Sequence, residues 1–279
     1  MKKKWSGERL ETYIYSRDSI EHLHRYAIVT NYIKDKIVLD IASGEGYGSN
    51  IMSKKASFVY GVDIDNTAVQ GAKLKYINNN LEYLTGSTSD IPLKDNSVDV
   101  VVSFETIEHH GKHDEMMAEV KRVLRPNGIL IISTPDKLYY SDERKFNNQF
   151  HIKELYKQEF VDLISKSFSE IQLLTQKYTN GNSVIQDEIT NNELQIFSGN
   201  YTKITDVIID PLYIIAIASE SVFEKQKLTV FDGSQITAEE FKIQIDNFKI
   251  QINKIYSSNS YKFGHLILSP FKFIKNKFK

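Results

Sequence analysis

The first 35 residues are polar and aromatic, with helical spacing around His22–Tyr32. From Ile37 onward, short apolar runs alternate with amphipathic stretches. Ile37–Ala42 (IVLDIA) predicts a strand, Ser43–Gly48 a glycine-rich turn, and the following residues a helix to about Lys55. Ser57–Asp63 (SFVYGVD) predicts a second strand, and Asn66 is the expected N-cap of a helix to about Ile77. Leu81–Thr85 reads as a third, short strand and Ser97–Phe104 (SVDVVVSF) as a buried one. Met117, Val120, Val123 and Leu124 fall at helical spacing within Asp114–Leu124. Pro126-Asn127-Gly128 marks a turn before a fifth strand, Ile129–Ser133. A polar, aromatic connection over Lys137–Gln149 precedes a helix at Lys153–Ser165, a strand at Ile171–Gln176 and a last core strand at Leu212–Ala218.

Strands alternating with helices imply an α/β fold with a mostly parallel sheet and right-handed crossovers. The loop after the first strand refines this. Asp40-Ile41-Ala42-Ser43-Gly44-Glu45-Gly46-Tyr47-Gly48 ends a strand and opens a helix, where glycines let a ligand approach the backbone. Dinucleotide-binding loops share that pattern, but a pyrophosphate at a helix N-terminus wants positive potential. Asp40 and Glu45 would place two carboxylates beside it. S-adenosylmethionine carries an ammonium and a sulfonium and no phosphate, so acids there favour it. Asp63 ends the second strand about 20 residues beyond the loop, the offset of a ribose-binding acid. Its rival reading is a helix-capping Asp.

VLDIASGEGYG, then GVDID, SDIPLKDNSVDVVVSFETIEHH and VKRVLRPNGILIISTP, in that order, resemble the motif series of class I S-adenosylmethionine-dependent methyltransferases. The resemblance runs from about Gly7 to Tyr178. It implies a Rossmann-like, doubly wound, mostly parallel seven-stranded sheet with a helical C-terminal extension. On that reading residues 1–35 form a helical cap, 36–232 the methyltransferase domain, and 233–279 a helical extension with a basic amphipathic tail. The resemblance places Gly44, Glu45 and Gly48 on the methionine part of the cofactor and Ile64 on the adenine, and counts Asp40 and Ala42 among the cofactor-binding residues. Gly86–Asp90 would border the adenine edge. Phe104 and Glu105 would face the methionine side. Many relatives have Asp after the glycine that is Gly86 here; this chain has Ser87-Thr88, with Asp90 as a second candidate for the adenine amine. Gly7-Glu8-Arg9 and Glu21–Tyr26 resemble the entrance of methyltransferases found with bacterial surface-polysaccharide enzymes. Arg25 could pair there with the methionine carboxylate through its planar fork; the alternative is a surface helix Arg.

Methyl transfer from a sulfonium needs alignment and, for an alcohol acceptor, a base. His109, at the carboxyl edge of the sheet, is the first candidate, and His151 the second. Each has a structural alternative as a packed helix-start His. Glu105, Glu108 and His109 fall at i, i+3 and i+4, a spacing that could also gather a metal; no metal site is assigned, and Glu108 is read as a structural acid. Tyr139, Tyr140 and Arg144 suit a sugar ring and an anionic group, or simply a surface loop.

The expected reaction is O-methylation of a sugar-linked hydroxyl, phosphate or phosphoramidate in surface polysaccharide (capsule) biosynthesis. N-methylation of an amino sugar or other small molecule is the alternative within the class. A Rossmann NAD-dependent sugar-nucleotide oxidoreductase or epimerase is the alternative outside it; Asp40 and Glu45 oppose it. Tyr32 and Lys36 have the spacing of the catalytic pair of such enzymes but precede the first strand.

Composition narrows the partners. A net charge of −1 gives no general electrostatic case for nucleic acid. With no cysteine, disulfides, thiolate zinc sites and cysteine nucleophiles are excluded. No apolar stretch follows the basic start MKKKW, so no signal peptide is expected. No apolar run of about 18 residues exists either. A cytoplasmic enzyme fits. After Thr237, Phe241, Ile245, Phe248, Ile252 and Ile255 form a heptad-like seam, expected to pack on the parent domain or pair in a homodimer. Ser260–Lys279 interleaves apolar residues with Lys262, Lys272, Lys275, Lys277 and Lys279, which suggests peripheral association with the inner membrane.

Overall fold

The structure, a computed structural model, describes residues 9–188 and 194–275, and side chains within these as far as residue 267. It comprises two compact units, Met1–Gly233 and Ser234–Lys279.

In the first unit α1 (Arg17–Val29) precedes a βα alternation: β1 (Ile37–Ile41), α2 (Tyr47–Met52), β2 (Phe58–Asp63), α3 (Asn66–Lys75), β3 (Leu81–Thr85), β4 (Val98–Phe104), α4 (His113–Val123) and β5 (Leu124–Pro135). Then come α5 (Lys157–Ser165), β6 (Glu170–Thr179), β7 (Asn182–Asp187), β8 (Ile196–Asn200), β9 (Lys203–Val207), β10 (Tyr213–Ser219) and β11 (Thr229–Asp232). The sheet order is β11-β7-β6-β10-β5-β4-β1-β2-β3. The five strands from β3 to β5 pair in parallel. β10 runs antiparallel between β5 and β6. The sheet therefore has nine strands, not seven. β7 and β11 add an antiparallel edge, and β8 with β9 forms a separate hairpin. These added strands are short and partly polar, so they carry little of the apolar periodicity that marks the parallel strands.

The central strands are buried on both faces, as a helix-covered parallel sheet requires. Val100 and Val102 pack with Tyr26, Val29 and Ile33 of the α1 side. Val101, between them, packs with Met116, Val120 and Ile164 on the other face. Two local expectations change. Asp65, not Asn66, caps α3, its carboxylate accepting from Thr67 N at 2.8 Å. Pro126-Asn127-Gly128 lies within β5, whose pairing with β4 is irregular there, with Asn127 at φ 65°.

The second unit holds α6 (Ser234–Ser257) and α7 (Asn259–Lys275). Phe241, Ile245, Phe248, Ile252 and Ile255 are exposed. No helix among the described residues is long and apolar enough to cross a membrane. Gly7, Glu8, Lys277 and Lys279 lie outside the described residues, as do the side chains of Lys272 and Lys275.

Candidate functional site

The loops after β1, β2, β3 and β4 meet at one edge of the parallel strands, where α/β folds bind ligands. They enclose a cavity of about 410 Å³, lined among others by Ala42, Gly44, Asp63, Ile64, Ser87 and Thr88. Glu105, His109 and Arg9 complete its polar wall. The size is ordinary for a small-molecule site.

Leaving β1, the backbone enters the left-handed region at Ala42 (φ 60°) and again at Gly44 (φ 55°). A Cβ at Gly44 would meet no described atom within 4 Å, so this turn presents bare backbone to the cavity. Asp63 ties the first two loops together. Its Oδ2 accepts from Gly44 N at 2.8 Å and its Oδ1 from Asp65 N at 2.9 Å. Arg9 lies 3.5 Å from Oδ1 and donates to Asp65 at 2.6 Å. Ile64, 72% exposed, offers a flat apolar surface beside this acid. In the third loop Ser87 and Asp90 bridge a tight turn, which puts Ser87 and Thr88 on the wall and leaves Asp90 exposed and off it.

Three loop residues do not reach the cavity. Asp40 is buried beneath the loop, accepting from Ser49 Oγ at 2.6 Å and from the Tyr26 hydroxyl at 3.4 Å. Burial raises its pKa to about 7. Glu45 turns outward to Tyr76 (2.7 Å), Thr12 (3.0 Å) and Lys75. A Cβ at Gly48 would sit 2.0 Å from the Tyr26 ring, so Gly48 lets α1 approach and lines no ligand wall. In each case a packing partner distant in sequence claims the residue.

Past β4, Phe104 is buried edge-on against Tyr26 at 5.2 Å, and it too lies off the cavity wall. Glu105 is on the wall, at φ 50°, and accepts from Ser133 Oγ at 2.6 Å. Arg25 stands behind it. It belongs to α1, is fully buried, and its Nη1 is 3.7 Å from Glu105. That nitrogen donates to Gln176 Oε1 at 2.7 Å, and the guanidinium lies over Tyr213 at 4.8 Å. Arg25 Nε and Nη2 have no hydrogen-bond partner among the described residues.

His109 ends a tight 3-10 turn (Ile107–His109) on the cavity wall, and its Nδ1 donates to Phe150 O at 3.0 Å. Glu108 is fully buried, accepts from Thr134 Oγ1 at 3.2 Å, and burial holds its carboxyl well above the usual range. His151 is not on the wall but stands edge-on to His109 at 5.1 Å and stacks on Tyr140 at 5.4 Å. Tyr140 in turn meets Tyr213 at 5.9 Å and the Arg144 guanidinium at 5.5 Å. The cavity also takes Ser89, from the stretch expected at the adenine edge, and Thr106, His110 and Lys112, which sequence reasoning did not single out. His110 was findable as the neighbour of His109. Gln176 and Tyr213 carry no local signal.

Residues 39–132 match the family model described as a methyltransferase domain. A probable S-adenosylmethionine-dependent methyltransferase of Mycolicibacterium smegmatis is 35% identical over 48% of this chain and 52% of its own. Another, from Mycobacterium tuberculosis, is 38% identical over 46% of each. The chain thus spans about half the length of the curated relatives it matches. A solved SAM-dependent methyltransferase of Thermotoga maritima superposes with a TM-score of 0.52 at 17% identity, covering 73% of this chain and 90% of that one. That likeness shows the fold.

Proposed function

We propose, from the premise that residues 39–132 form a methyltransferase domain whose cofactor is S-adenosylmethionine, that the whole protein O-methylates a sugar-linked acceptor. The observation that carries the cofactor assignment is Asp63, buried between two loops beside the open face of Gly44.

The residues fit the group. A carboxylate at Asp63 can accept from both ribose hydroxyls while keeping its backbone donors, since each oxygen has two lone pairs. Ile64 suits the adenine face, and Ser87 and Thr88 its polar edge. Glu105 suits the cationic methionine end, while Arg25, fully buried behind it, lies off the cavity wall. When bound, the cofactor supplies a methyl group on a positively charged sulfur. The protein's part is to orient the acceptor, exclude water and accept a proton.

His109 suits the last task. Its Nδ1 proton is held by a carbonyl, which leaves Nε2 as the basic nitrogen. The acceptor class is supported by a cluster that connects to His109 through His151 and lies off the cavity wall. Tyr140, Tyr213 and Arg144 together offer ring faces and a cation, which match a sugar ring bearing an anionic group. The polysaccharide setting rests on the resemblance of the N-terminal segment alone.

Calorimetry against S-adenosylmethionine and NAD tests the cofactor, and only the former should bind. A labelled-methyl screen over sugar nucleotides, phosphoglycans and amino sugars then tests the acceptor. Label appearing on an amine would replace O-methylation by N-methylation. Binding of NAD alone would overturn the reading.

A further inference from the structure

Glu108 and His109 leave β4 together, while His151 arrives from the connection between β5 and α5. Backbone bonds clamp the two segments. Ile152 N and Lys153 N both donate to Glu108 O, at 2.8 and 3.1 Å, and His109 Nδ1 donates to Phe150 O. A carbonyl oxygen only accepts, so the His109 proton is on Nδ1 and Nε2 carries the lone pair. His151 is held the same way. Its Nδ1 donates to Glu154 Oε1 at 2.5 Å, and its Nε2 accepts from the Asn148 amide at 3.0 Å. An oxygen on Nδ1 that fixes the tautomer and aims Nε2 is how metal-ligating histidines are oriented.

The third group is the informative one. The Glu108 side chain is fully buried, and its Oε1 has no hydrogen-bond partner among the described residues. A buried, unpaired carboxylate oxygen is costly and calls for an explanation. That oxygen lies 4.0 Å from His109 Nε2. One ligand atom from each of Glu108, His109 and His151 lies within 4.8 Å of the others. Metal–ligand bonds near 2.1 Å give a tetrahedral edge of about 3.4 Å. Side-chain rotations that close roughly 1 Å, with Asn148 giving up His151 Nε2, would complete the set.

We propose that Glu108, His109 and His151 bind one first-row divalent cation, of the zinc, manganese or cobalt class, at the edge of the cofactor cavity. Two imidazoles and one carboxylate suit such borderline ions better than magnesium or calcium. Three protein ligands leave coordination positions open, and His109 puts them at the cavity wall. On the methyltransferase reading, an open position would hold the acceptor oxygen and make it more acidic, which would replace the base role given above to His109, since the metal would use its Nε2 lone pair. The metal site itself stands without that reading.

The test is a titration of the chelator-treated full chain with cobalt(II), read by visible absorption. One equivalent should bind with a ligand-field band. Glu108→Gln and His151→Ala should each weaken binding at least tenfold, while His110→Ala, at the neighbouring His110–His113 pair, should leave it unchanged. Circular dichroism checks folding; if Glu108→Gln does not fold, His151→Ala and His109→Ala decide. No bound cobalt in the wild type, unchanged affinity in the ligand variants, or loss that follows His110 would overturn the proposal. Failure to bind S-adenosylmethionine, measured separately, would strike the methyltransferase reading and leave this one standing.

Discussion

The two halves of the sheet solve different problems. The parallel half, β1 to β5, buries near-continuous apolar runs such as Val100–Val102 and keeps its polar chemistry for the loops at one edge. The antiparallel half carries buried polar side chains inside its strands. Gln176 Nε2 donates to Ser183 Oγ at 2.8 Å and to Glu21 O at 2.9 Å, and Ser183 also meets His24 Nδ1 at 2.9 Å. Gln172 and Gln226 pair across β6 and the segment before β11. The first half leaves backbone and acids open to a ligand. The second pairs Gln172, Gln176 and Ser183 internally, and the bonds of Gln176 and Ser183 to α1 fix where that helix docks. Arg25 joins them, bonded to Gln176 on one side and beside Glu105 on the other.

If this division holds, substitutions should separate ligand binding from stability. The largest effect is expected for Gly44→Val. A β-branched residue is strained at φ 55° and would fill the open face, so calorimetry should show no cofactor binding while circular dichroism shows a native fold. Normal binding would move the methionine pocket elsewhere. Gln176→Leu should do the reverse. Removing the acceptor of a buried guanidinium should cost about 3 kcal/mol in urea unfolding, with cofactor affinity changed little. A large affinity loss would make Arg25 and Gln176 part of the binding machinery. Asp63→Ala should weaken cofactor binding by about 5- to 150-fold, or roughly 1–3 kcal/mol, and an unchanged dissociation constant would remove the ribose assignment.

The last expectation, one of pH, concerns Asp40, buried under the glycine loop with its pKa raised to about 7. Between about pH 4, where an unfolded Asp ionises, and pH 7, the native state keeps a proton that the unfolded chain has released. Stability from this group therefore falls as pH rises through that window. Asp40→Asn removes the dependence, so its stability relative to wild type should increase by up to about 1.4 kcal/mol per pH unit there. A flat difference in urea unfolding between pH 4 and 7 would mean that Asp40 titrates as an exposed carboxyl.

The cavity edge was legible because its residues sit in loops contiguous with strong strand patterns. Gly44, Asp63, Ile64, Ser87, Thr88, Glu105 and His109 all line the cavity. Asp40, Glu45 and Gly48 come from the same motif yet face the protein, because Tyr26, Tyr76 and Lys75 approach from other elements. Phe104, Asp90, Arg25 and His151 likewise lie off the wall. The short edge strands β7 and β11 escaped notice since they lack an apolar run and depend on their neighbours for pairing.

By itself the sequence determined the order of βα units, the parallel half of the sheet and the glycine turn with its acid partner. These follow from periodicities of two and 3.6 and from conformations that few residues adopt, which are local properties of the chain. Only the tertiary structure decided which loop acids line the cavity, and how Arg25 meets Gln176, Tyr213 and Glu105. It also brought His151 against Glu108 and His109 through a clamp on the Glu108 carbonyl. Such contacts join residues far apart in the chain, and nothing in the spacing of either segment encodes the distance between them.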